Sequence, residues 1–467
     1  MEFGEPPIQR TSYSARFARA PLSRRLGLAV GFLVLAGLAG ACTSQEPSRP
    51  NLLVITVDTL RPDHVGAWGY EKKTSTAIDR LARESLLFEN ARSHSSWTLP
   101  SIASLMTSRY ASSHGCWDYA SRLPPSVTTL AERLRDGGYA TAAVPGGGPI
   151  GTEHGLAQGF EGFFAELLGD EDAEPQRTIT SPDVTRIASR WLEGRADDRR
   201  PWFLWAHYFD PHFEYLPHDD VPKQFHATPP TGLDEPWALE RFEVLYDGEI
   251  AYTDRFVGKL LERVAALPRG RETVIVLTAD HGEEFQEHGG LMHGFTLFEE
   301  VIRVPLAIRI PGEAGRRVEE AVGLVDVLPT VLDALGLEVP EDVEGRSLLP
   351  GLRAGSVPEA PLLSELRLFE GFHADGIVDD SWKLIVDRSN ERRLLFDLRE
   401  DPGEAHDLAS EHPDRVERLE RRLEAMRARA RASAPAPPAE FEPSEALRER
   451  LRALGYVDPP REAAEAD

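Results

Sequence analysis

Cysteine is almost absent from this sequence, since Cys42 and Cys116 are the two among 467 residues. With so few thiols, a framework of disulfides is excluded. Positive charge is also scarce: 52 Lys and Arg stand against 77 Asp and Glu, which gives a net charge of −25. Because contacts to phosphate backbones need clustered Lys and Arg, we expect no nucleic-acid partner.

Long hydrophobic runs are lacking as well, apart from Leu26–Ala41 behind an Arg-rich start. That run is shorter than the roughly 20 residues of a membrane-spanning helix and suits a signal peptide. It ends at Cys42, and the polar segment Thr43–Pro50 follows. This pattern resembles a bacterial lipoprotein signal, in which the Cys becomes the lipidated first residue. We therefore expect an exported lipoprotein, anchored to a membrane on the periplasmic or extracellular side. Ordinary secretion and an uncleaved anchor are the alternatives.

The remaining composition, 41% hydrophobic and 28% charged, is that of a globular protein with a sizeable core. Apolar strand patterns alternate with helical patterns along most of the chain. An alternation of this kind predicts an α/β fold with a mostly parallel sheet and helices on both faces. The predicted strands are Leu52–Val57, Tyr139–Val144, Trp202–Ala206, Thr273–Thr278 and Val304–Ile310, and the predicted helices Thr76–Phe88, Ser181–Arg195, Trp237–Leu267 and Leu324–Leu337.

Towards the C-terminus the pattern changes to short, closely spaced strands, followed by a helix. It predicts a small antiparallel subdomain built from Gly376–Val378, Trp382–Val386, Leu394–Leu398 and the helix Pro413–Ala430. We accordingly expect a signal segment at 1–42, a linker at 43–50, a main domain at 51–360 and the antiparallel subdomain at 361–433. A linker, a last helix (Ser444–Tyr456) and an acidic tail occupy 434–467.

Polar side chains stand at the ends of two predicted buried strands. Asp58 follows the first strand, and Asp280 and His281 follow Thr273–Thr278. Carboxyl ends of strands are where open α/β sheets bind ligands. Pro100 marks a helix N-terminus, which places Thr98 just outside that helix. Two carboxylates, an imidazole and a hydroxyl are a reasonable ligand set for a borderline dication. The alternative is that Asp58 merely caps the following helix.

Five segments in order resemble the sulfatases of the alkaline phosphatase superfamily, over about residues 51–408. They are Asp58–Asp63, Thr98–Tyr110, His207–His212, Thr278–Glu283 and Leu395–Glu404. The resemblance implies an alkaline-phosphatase-like fold and metal ligands at Asp58, Thr98, Asp280 and His281. It also implies that Thr98 occupies the position of the nucleophile, and that His212 and His293 contact the substrate or lie close to it.

Two departures from the family pattern concern chemistry. Sulfatases oxidise a Cys or Ser to formylglycine, whereas Thr98 carries a β-methyl group and cannot become an aldehyde, and Ile102 replaces the usual Arg. We therefore expect Thr98 to attack as an activated hydroxyl and form a phospho-threonine. His281 stands where sulfatases carry Asn, which favours zinc or manganese over calcium. Alternatively, Thr98 is only a helix cap in an inactive relative.

The sequence thus predicts an exported, metal-dependent hydrolase or transferase of phosphate or sulfate esters, such as a phosphodiesterase, acting on small-molecule, lipid or glycan substrates. A true sulfuric ester hydrolase and an inactive, lipid-anchored ester-binding protein are the alternatives. Among other polar residues, His207 and Asp210 are either structural or part of a second metal site. His288 is expected in the surroundings of the site, and Glu283 and Glu284 are expected to orient their neighbours.

Overall fold

The computed structural model describes residues 49–165, 180–195, 198–232, 237–368, 372–434 and 439–440. The predicted signal segment with Cys42 and the predicted last helix Ser444–Tyr456 lie outside these residues. Within the described part of the chain, no helix combines the length and the apolar character that crossing a membrane requires.

The strands are numbered in chain order. They are β1 (Asn51–Val57), β2 (Leu86–Arg92), β3 (Ser121–Arg122), β4 (Ala140–Pro145), β5 (Gly162–Phe163), β6 (Trp202–Tyr208), β7 (Thr273–Ala279), β8 (Glu284–Phe285), β9 (Leu291–Met292), β10 (Arg303–Arg309), β11 (Arg316–Val318), β12 (Val322–Gly323), β13 (Leu362–Leu368), β14 (Phe372–Asp379), β15 (Trp382–Asp387), β16 (Arg392–Asp397) and β17 (Ala439–Glu440).

The α-helices are numbered in the same way. They are α1 (Thr76–Arg83), α2 (Thr98–Thr107), α3 (Ala111–His114), α4 (Leu130–Asp136), α5 (Ser181–Glu193), α6 (Ala238–Ala265), α7 (Glu299–Ile302), α8 (Val327–Ala334), α9 (Leu349–Ala354) and α10 (Pro413–Ala432).

The main sheet has the order β11-β2-β10-β7-β1-β6-β4-β5, with β12 also paired to β2. β1 lies in its middle, parallel to both β6 and β7, and all seven of its residues are buried. Among the strands of this sheet in the described residues, β10 alone runs antiparallel to its neighbours, β7 and β2. The predicted α/β fold with a mostly parallel sheet is confirmed, and the apolar run of β1 reflects burial on both faces.

The C-terminal antiparallel subdomain is confirmed as well. β13, β14, β15 and β16 form a four-stranded antiparallel sheet. Leu363, Ile377 and Leu384 from this sheet pack with Leu419 and Leu423 of α10 in a separate hydrophobic cluster. The amphipathic helix α10 therefore covers one face of the small sheet. The strand β13 is absent from the sequence-based prediction.

Buried charges join this sheet to the main one. Lys383 of β15 is fully buried, and its Nζ lies 3.1 Å from Glu299 Oε1 and 2.9 Å from Glu404 Oε1. Arg92 of β2 makes two hydrogen bonds to the Glu299 carboxylate, of 2.9 and 2.8 Å. Because each charge has a partner of opposite sign, the network can be buried without an isolated ion. We call Arg92, Glu299, Lys383 and Glu404 the inter-sheet network.

Two local predictions are wrong. The helix predicted at Thr76–Phe88 ends at Arg83, and β2 begins at Leu86. Leu86, Leu87 and Phe88 are consecutive apolar residues that are buried between β10 and β11. A short apolar run of this kind fits a buried strand and a buried helix equally well, so its periodicity alone does not separate the two.

The second correction concerns Thr98, which the sequence predicts to lie just outside the helix. It is instead the first residue of α2. The helix begins one residue earlier than Pro100 suggested, with Trp97 at the N-cap, whose C=O accepts the Ser101 N–H at 3.2 Å. Pro100 fits within the first turn because no N–H there needs a helical partner.

Candidate active site

The centre of the site is Asp58, directly after β1. Its N–H donates to the C=O of Tyr208 at the end of β6 (2.8 Å). The next residue, Thr59, has a left-handed backbone conformation, with φ 53°. Its hydroxyl donates to Pro211 O (2.8 Å) and its C=O accepts from the Tyr246 hydroxyl (2.7 Å). These contacts hold the turn that follows the central strand.

Asp280 and His281 reach the same place from β7. Because β7 is parallel to β1, with Val57 paired to Ala279, the residues that follow both strands meet at one edge of the sheet. His281 Nε2 lies 3.4 Å from Asp280 Oδ2 and 3.7 Å from Asp58 Oδ1. The Nδ1 atom is 3.0 Å from Gly282 O, and a carbonyl only accepts, so we assign a proton to Nδ1. Nε2 therefore faces the two carboxylates.

This trio fits a divalent cation. One ligand atom from each of Asp58, Asp280 and His281 lies within 4.8 Å of the others, and all three residues are buried. The four carboxylate oxygens are buried and accept no hydrogen bond. Burial, together with the charge of Asp280, raises the pKa of Asp58 well above its usual value. Two unpaired buried carboxylates are costly, and a bound cation would offset that cost.

Thr98 lies at the rim of this trio. Its Oγ1 is 3.2 Å from His281 Nε2, and the residue is fully buried. Gly148, in the loop after β4, closes over it with φ 77°. A Cβ at Gly148 would lie 3.4 Å from Thr98 Cγ2 and 3.7 Å from Asp58 Oδ2. The predicted nucleophile and the predicted ligands are thus brought together beneath this loop.

The hydroxyls of Ser96 and Ser101 have partners away from the carboxylates, whereas the buried Ser95 hydroxyl makes no hydrogen bond within the described residues. Ser101 Oγ lies 2.8 Å from Ser93 Oγ and 2.9 Å from Ser95 O. Ser96 Oγ donates to Thr296 O at 2.7 Å. Cys116 is fully buried, and burial raises the pKa of its thiol. Ile102, at the position of the family's Arg, is fully buried in the core. Of these side chains, Thr98 is the one whose hydroxyl contacts the trio, through His281 Nε2.

His212 and His293, which the sequence predicts to contact the substrate, lie beside His281. The His293 ring centre is 4.3 Å from that of His281 and 4.9 Å from that of His212. Burial lowers the pKa of His212 to about 3 and that of His293 well below its usual value. His212 Nδ1 donates to Phe213 O, which holds this ring in position.

Glu283 positions one of these rings, as expected for a residue that orients its neighbours. Its Oε1 lies 2.8 Å from His293 Nδ1, and its Oε2 accepts the Tyr215 hydroxyl at 2.9 Å. Burial raises the pKa of Glu283 to about 7. We assign the ring proton of His293 to Nδ1, which leaves Nε2 as the basic atom. Tyr215 gave no signal in the sequence, because it belongs to no motif.

His207 faces Asp58 from the other side, with Nε2 3.3 Å from Asp58 Oδ2. Thr56 Oγ1 accepts the Trp205 indole N–H (2.9 Å) and lies 2.8 Å from His207 Nδ1. Burial lowers the pKa of His207 to about 4. His207 is not part of the group of possible ligands formed by Asp58, Asp280 and His281, and it lies against Asp58.

The remaining polar residues have structural partners. Asp210 accepts the N–H groups of Thr180 and Ser181 at the start of α5 (2.6 and 3.0 Å). His288 contacts Glu300 Oε1 (2.6 Å) and Glu404 O (3.2 Å). In the part of the chain that the structure describes, Asp58, Asp280 and His281 are the one such group of three possible ligands. The structural interpretation of His207 and Asp210 is therefore the one that their contacts favour.

Comparisons with known proteins identify the family of this chain. The family model named Sulfatase matches residues 50–337, and the model of the N-sulphoglucosamine sulphohydrolase C-terminal region matches residues 287–429. An ulvan-active sulfatase of Formosa agariphila is 27% identical over 366 residues, which are 70% of this chain and 70% of that protein.

Two solved structures show the same fold. One is a protein in complex with its substrate D-glucosamine-2-N,6-O-disulfate (TM-score 0.71, 21% identity, 83% of this chain and 99% of that one). The other is the phosphonate monoester hydrolase of Agrobacterium radiobacter (TM-score 0.67, 22% identity, 85% of this chain and 100% of that one). With a family model matched over more than half of its length, the chain belongs to the sulfatase family of ester hydrolases.

Proposed function

We propose that this protein is a metal-dependent member of its family that attacks its ester through Thr98, and that it transfers phosphoryl groups in preference to sulfuryl groups. The observation that carries the proposal is the position of Thr98 Oγ1, buried and 3.2 Å from His281 Nε2 beside two unpaired carboxylates. Thr98 also begins α2, where the free N–H groups of the first turn favour negative charge.

Asp58, Asp280 and His281 would hold the cation, with Thr98 beside them. A bound divalent cation lowers the pKa of a neighbouring hydroxyl and offsets charge on the transferred group. One of the ligands is an imidazole nitrogen, which favours zinc or manganese over calcium. The same donor set explains why two carboxylates are buried without hydrogen bonds.

The residues of the chain itself supply the proton transfers. Thr98 Oγ1 loses its proton and bonds to phosphorus, while the bond from phosphorus to the leaving-group oxygen breaks and that oxygen gains a proton. Water then attacks phosphorus, releases the phosphate product and restores the Thr98 hydroxyl. His212 and His293 lie beside His281, so they are placed to accept and return these protons.

The preference for phosphoryl transfer follows from the side chain at position 98. A formylglycine hydrate expels sulfate by re-forming its aldehyde, and a threonine has no such route. A sulfated threonine would be released slowly, whereas a phospho-threonine can be hydrolysed by water. The second candidate, a true sulfatase, is favoured by the sulfatase relatives. A third candidate is an inactive ester-binding protein.

The test is a panel of nitrophenyl substrates: a phosphate monoester, a phosphodiester, a phosphonate and a sulfate. The protein is first stripped of metal with a chelator, and zinc, manganese or calcium is then added back. We expect a phosphoryl ester to be hydrolysed fastest, with zinc or manganese. Faster sulfate hydrolysis, or reactivation by calcium alone, would contradict the proposal, and no turnover with any metal would support the binding protein.

Two variants at the nucleophile position sharpen this test. Thr98→Ala should reduce turnover by several orders of magnitude, as the removal of a nucleophile does. Thr98→Ser keeps the hydroxyl and should keep part of the activity. Equal activity in the Ala variant and the original protein would show that Thr98 is not the nucleophile.

We also propose that the protein is exported and carries a lipid on Cys42, and that its substrate is a small-molecule, glycan or lipid ester. The signal-like segment 1–42 supports the location. The solved complex with a sulfated sugar supports an ester substrate of small size.

A further inference from the structure

A run of three glycines, Gly146–Gly148, directly follows β4. A Cβ at Gly146 would lie 2.5 Å from the carbonyl oxygen of His207, so no side chain fits at that position. A Cβ at Gly147 would lie 2.6 Å from Phe209 Cδ1 and 2.9 Å from Phe209 Cδ2. Because protein interiors do not accommodate overlaps of this size, the glycines allow the turn after β6 to approach the end of β4.

The ring of Phe209 occupies the space that a side chain at position 147 would need. Its Cε2 atom would lie 3.6 Å from a Cβ at Gly148, and that Cβ would lie 3.4 Å from Thr98 Cγ2. Phe209 and Gly148 are both partly exposed, whereas Thr98 is buried. The ring therefore lies beside the residue that covers the proposed nucleophile.

The same ring packs on the imidazole of His212. The ring centres are 4.5 Å apart and the interplanar angle is 18°, which is a stacked arrangement. Both residues belong to the turn after β6, where the His212 N–H donates to Phe209 O at 2.9 Å. One side chain thus contacts both the glycine run and a histidine of the site.

Two further contacts hold the His212 imidazole. Its Nδ1 donates to Phe213 O, and the His293 ring meets it edge-on, with centres 4.9 Å apart and an interplanar angle of 72°. Because the χ2 torsion of histidine has broad minima, a hydrogen bond at one atom does not fix the plane of the ring. The stack on Phe209 supplies that constraint from the face of the imidazole.

We propose that Phe209 is a positioning residue for the proton transfers of the Thr98-centred reaction, and that the glycine run leaves room for its ring. The proton that Thr98 Oγ1 loses is returned to the leaving-group oxygen, and His212 is one of the two imidazoles placed to carry it. Phe209 carries no proton itself but holds the plane of His212, and proton transfer requires hydrogen-bonding geometry. This inference rests on the proposed function, because it concerns a step of the same reaction.

The test compares 4-nitrophenyl methylphosphonate with phenyl methylphosphonate, in the presence of the metal that restores activity. Both esters form the same adduct on Thr98, so they differ only in the departure of the leaving group. Phenolate is the stronger base and needs a proton more than 4-nitrophenolate does. The ratio of the two kcat/KM values therefore reports how well a proton is returned to the leaving group.

Removal of the ring should slow the phenyl ester selectively. We expect Phe209→Ala to shift the ratio against the phenyl ester by at least about tenfold, since general acid–base catalysis contributes roughly 10²–10⁴-fold. Phe209→Leu, which keeps part of the packing, is the second variant and should shift the ratio in the same direction. Phe209→Tyr retains the ring and should leave the ratio unchanged. Phe256→Ala, at a partly exposed ring that packs against Tyr252 on α6, is the matched control and should also leave it unchanged.

Gly147→Ala tests the same contact from the glycine run. The new Cβ would overlap the Phe209 ring, so the ring must move and the ratio should shift as it does in Phe209→Ala. In the double variant Gly147→Ala/Phe209→Ala, the two shifts should not add, because no ring remains to be displaced. Additive shifts would show that the glycine and the ring act separately, which would contradict the proposed role of the run.

The outcomes separate this inference from the proposed function. A ratio that stays unchanged in Phe209→Ala, even if both rates fall, would overturn the positioning role and leave the Thr98 mechanism intact. If the protein hydrolyses only sulfates, the phosphoryl preference is wrong, and the ratio is measured with 4-nitrophenyl and phenyl sulfate instead. No turnover of any ester with any metal would overturn the proposed function and this inference with it.

Discussion

Asp58 illustrates how burial of a single residue points to chemistry. The carboxylate is fully buried, it accepts no hydrogen bond, and its closest charged neighbour of like sign is Asp280. Removing one partner from a buried charged group costs about 3–5 kcal/mol. A cation bound between the two carboxylates would offset the cost of burying them. The side chains thus support the proposed metal site without reference to the family.

A substitution at the imidazole ligand tests the metal preference. His281→Asn replaces a nitrogen ligand by an amide, so we expect zinc affinity to fall by about 100-fold or more, since even residues that only support a ligand contribute 10–100-fold. The measurement is competition with a chromophoric chelator, which needs no turnover. Unchanged zinc affinity would mean that His281 is not a ligand.

Thr56 gives a second prediction at this scale. It links the Trp205 indole to His207, which faces Asp58. Thr56→Val keeps the shape of the side chain but removes the hydroxyl that contacts the imidazole, so we expect metal affinity to fall, by less than the roughly 10–100-fold typical of a group bonded directly to a ligand. Thr56→Ser is the matched control and should retain the affinity. If Val and Ser variants bind metal equally well, the orientation of His207 by Thr56 is not important for the site.

Some of these site residues could be predicted from the sequence and others could not. Asp58, Asp280 and His281 follow apolar strands, so their convergence was predictable from the geometry of parallel sheets. Thr56 and His207 lie opposite each other only because β1 and β6 pair in this register. Tyr215 reaches Glu283 from a loop. Such partners depend on tertiary contacts that no local pattern reports.

At the scale of elements, the strand ends were easier to predict than the boundaries between helix and strand. The run Leu86–Phe88 continued a helical pattern, yet the chain enters β2 there because three successive apolar residues are buried on both faces of the sheet. β13 was missed, since Ser364 and Glu365 interrupt its apolar character. Both are buried and bonded to neighbours, Ser364 to Ser93 O and Glu365 to Ser112.

The inter-sheet network gives a prediction for these elements. Lys383→Met leaves Glu404 without its cation, so the free energy of unfolding should fall by about 3–5 kcal/mol at pH 8. Burial raises the pKa of Glu404 from 4.5 to about 7 in the folded protein, so the folded state holds its proton more tightly than the unfolded state does. Stability therefore falls as the pH rises through this interval.

The loss in Lys383→Met should consequently be smaller at pH 5, where Glu404 can be protonated, than at pH 8. Urea unfolding at both pH values measures the difference. Lys259→Met, at an exposed lysine over the Phe256 ring, is the control and should change stability little at either pH. Equal losses for the two variants would show that the network does not join the sheets energetically.

At the scale of the whole molecule, the signal-like N-terminus gives a prediction about where the protein is found in the cell. Cys42→Ser should release a soluble protein or leave the precursor uncleaved, because the proposed lipid would have no attachment site. Fractionation of cells followed by mass determination measures this. A variant that still sediments with membranes at its mature size would show that lipidation of Cys42 is the wrong interpretation.

The central claim is that Thr98 forms a covalent intermediate. The most direct measurement quenches the protein with acid during turnover of a phosphonate or phosphodiester and analyses the tryptic peptide 93–109 by mass spectrometry. Thr98→Ser, which should form a similar adduct, and Thr98→Ala, which should form none, are measured alongside. The account predicts a phosphoryl-type adduct on Thr98 and no oxidised side chain in the peptide. An unmodified Thr98 throughout turnover, or an aldehyde elsewhere in the peptide, would contradict it.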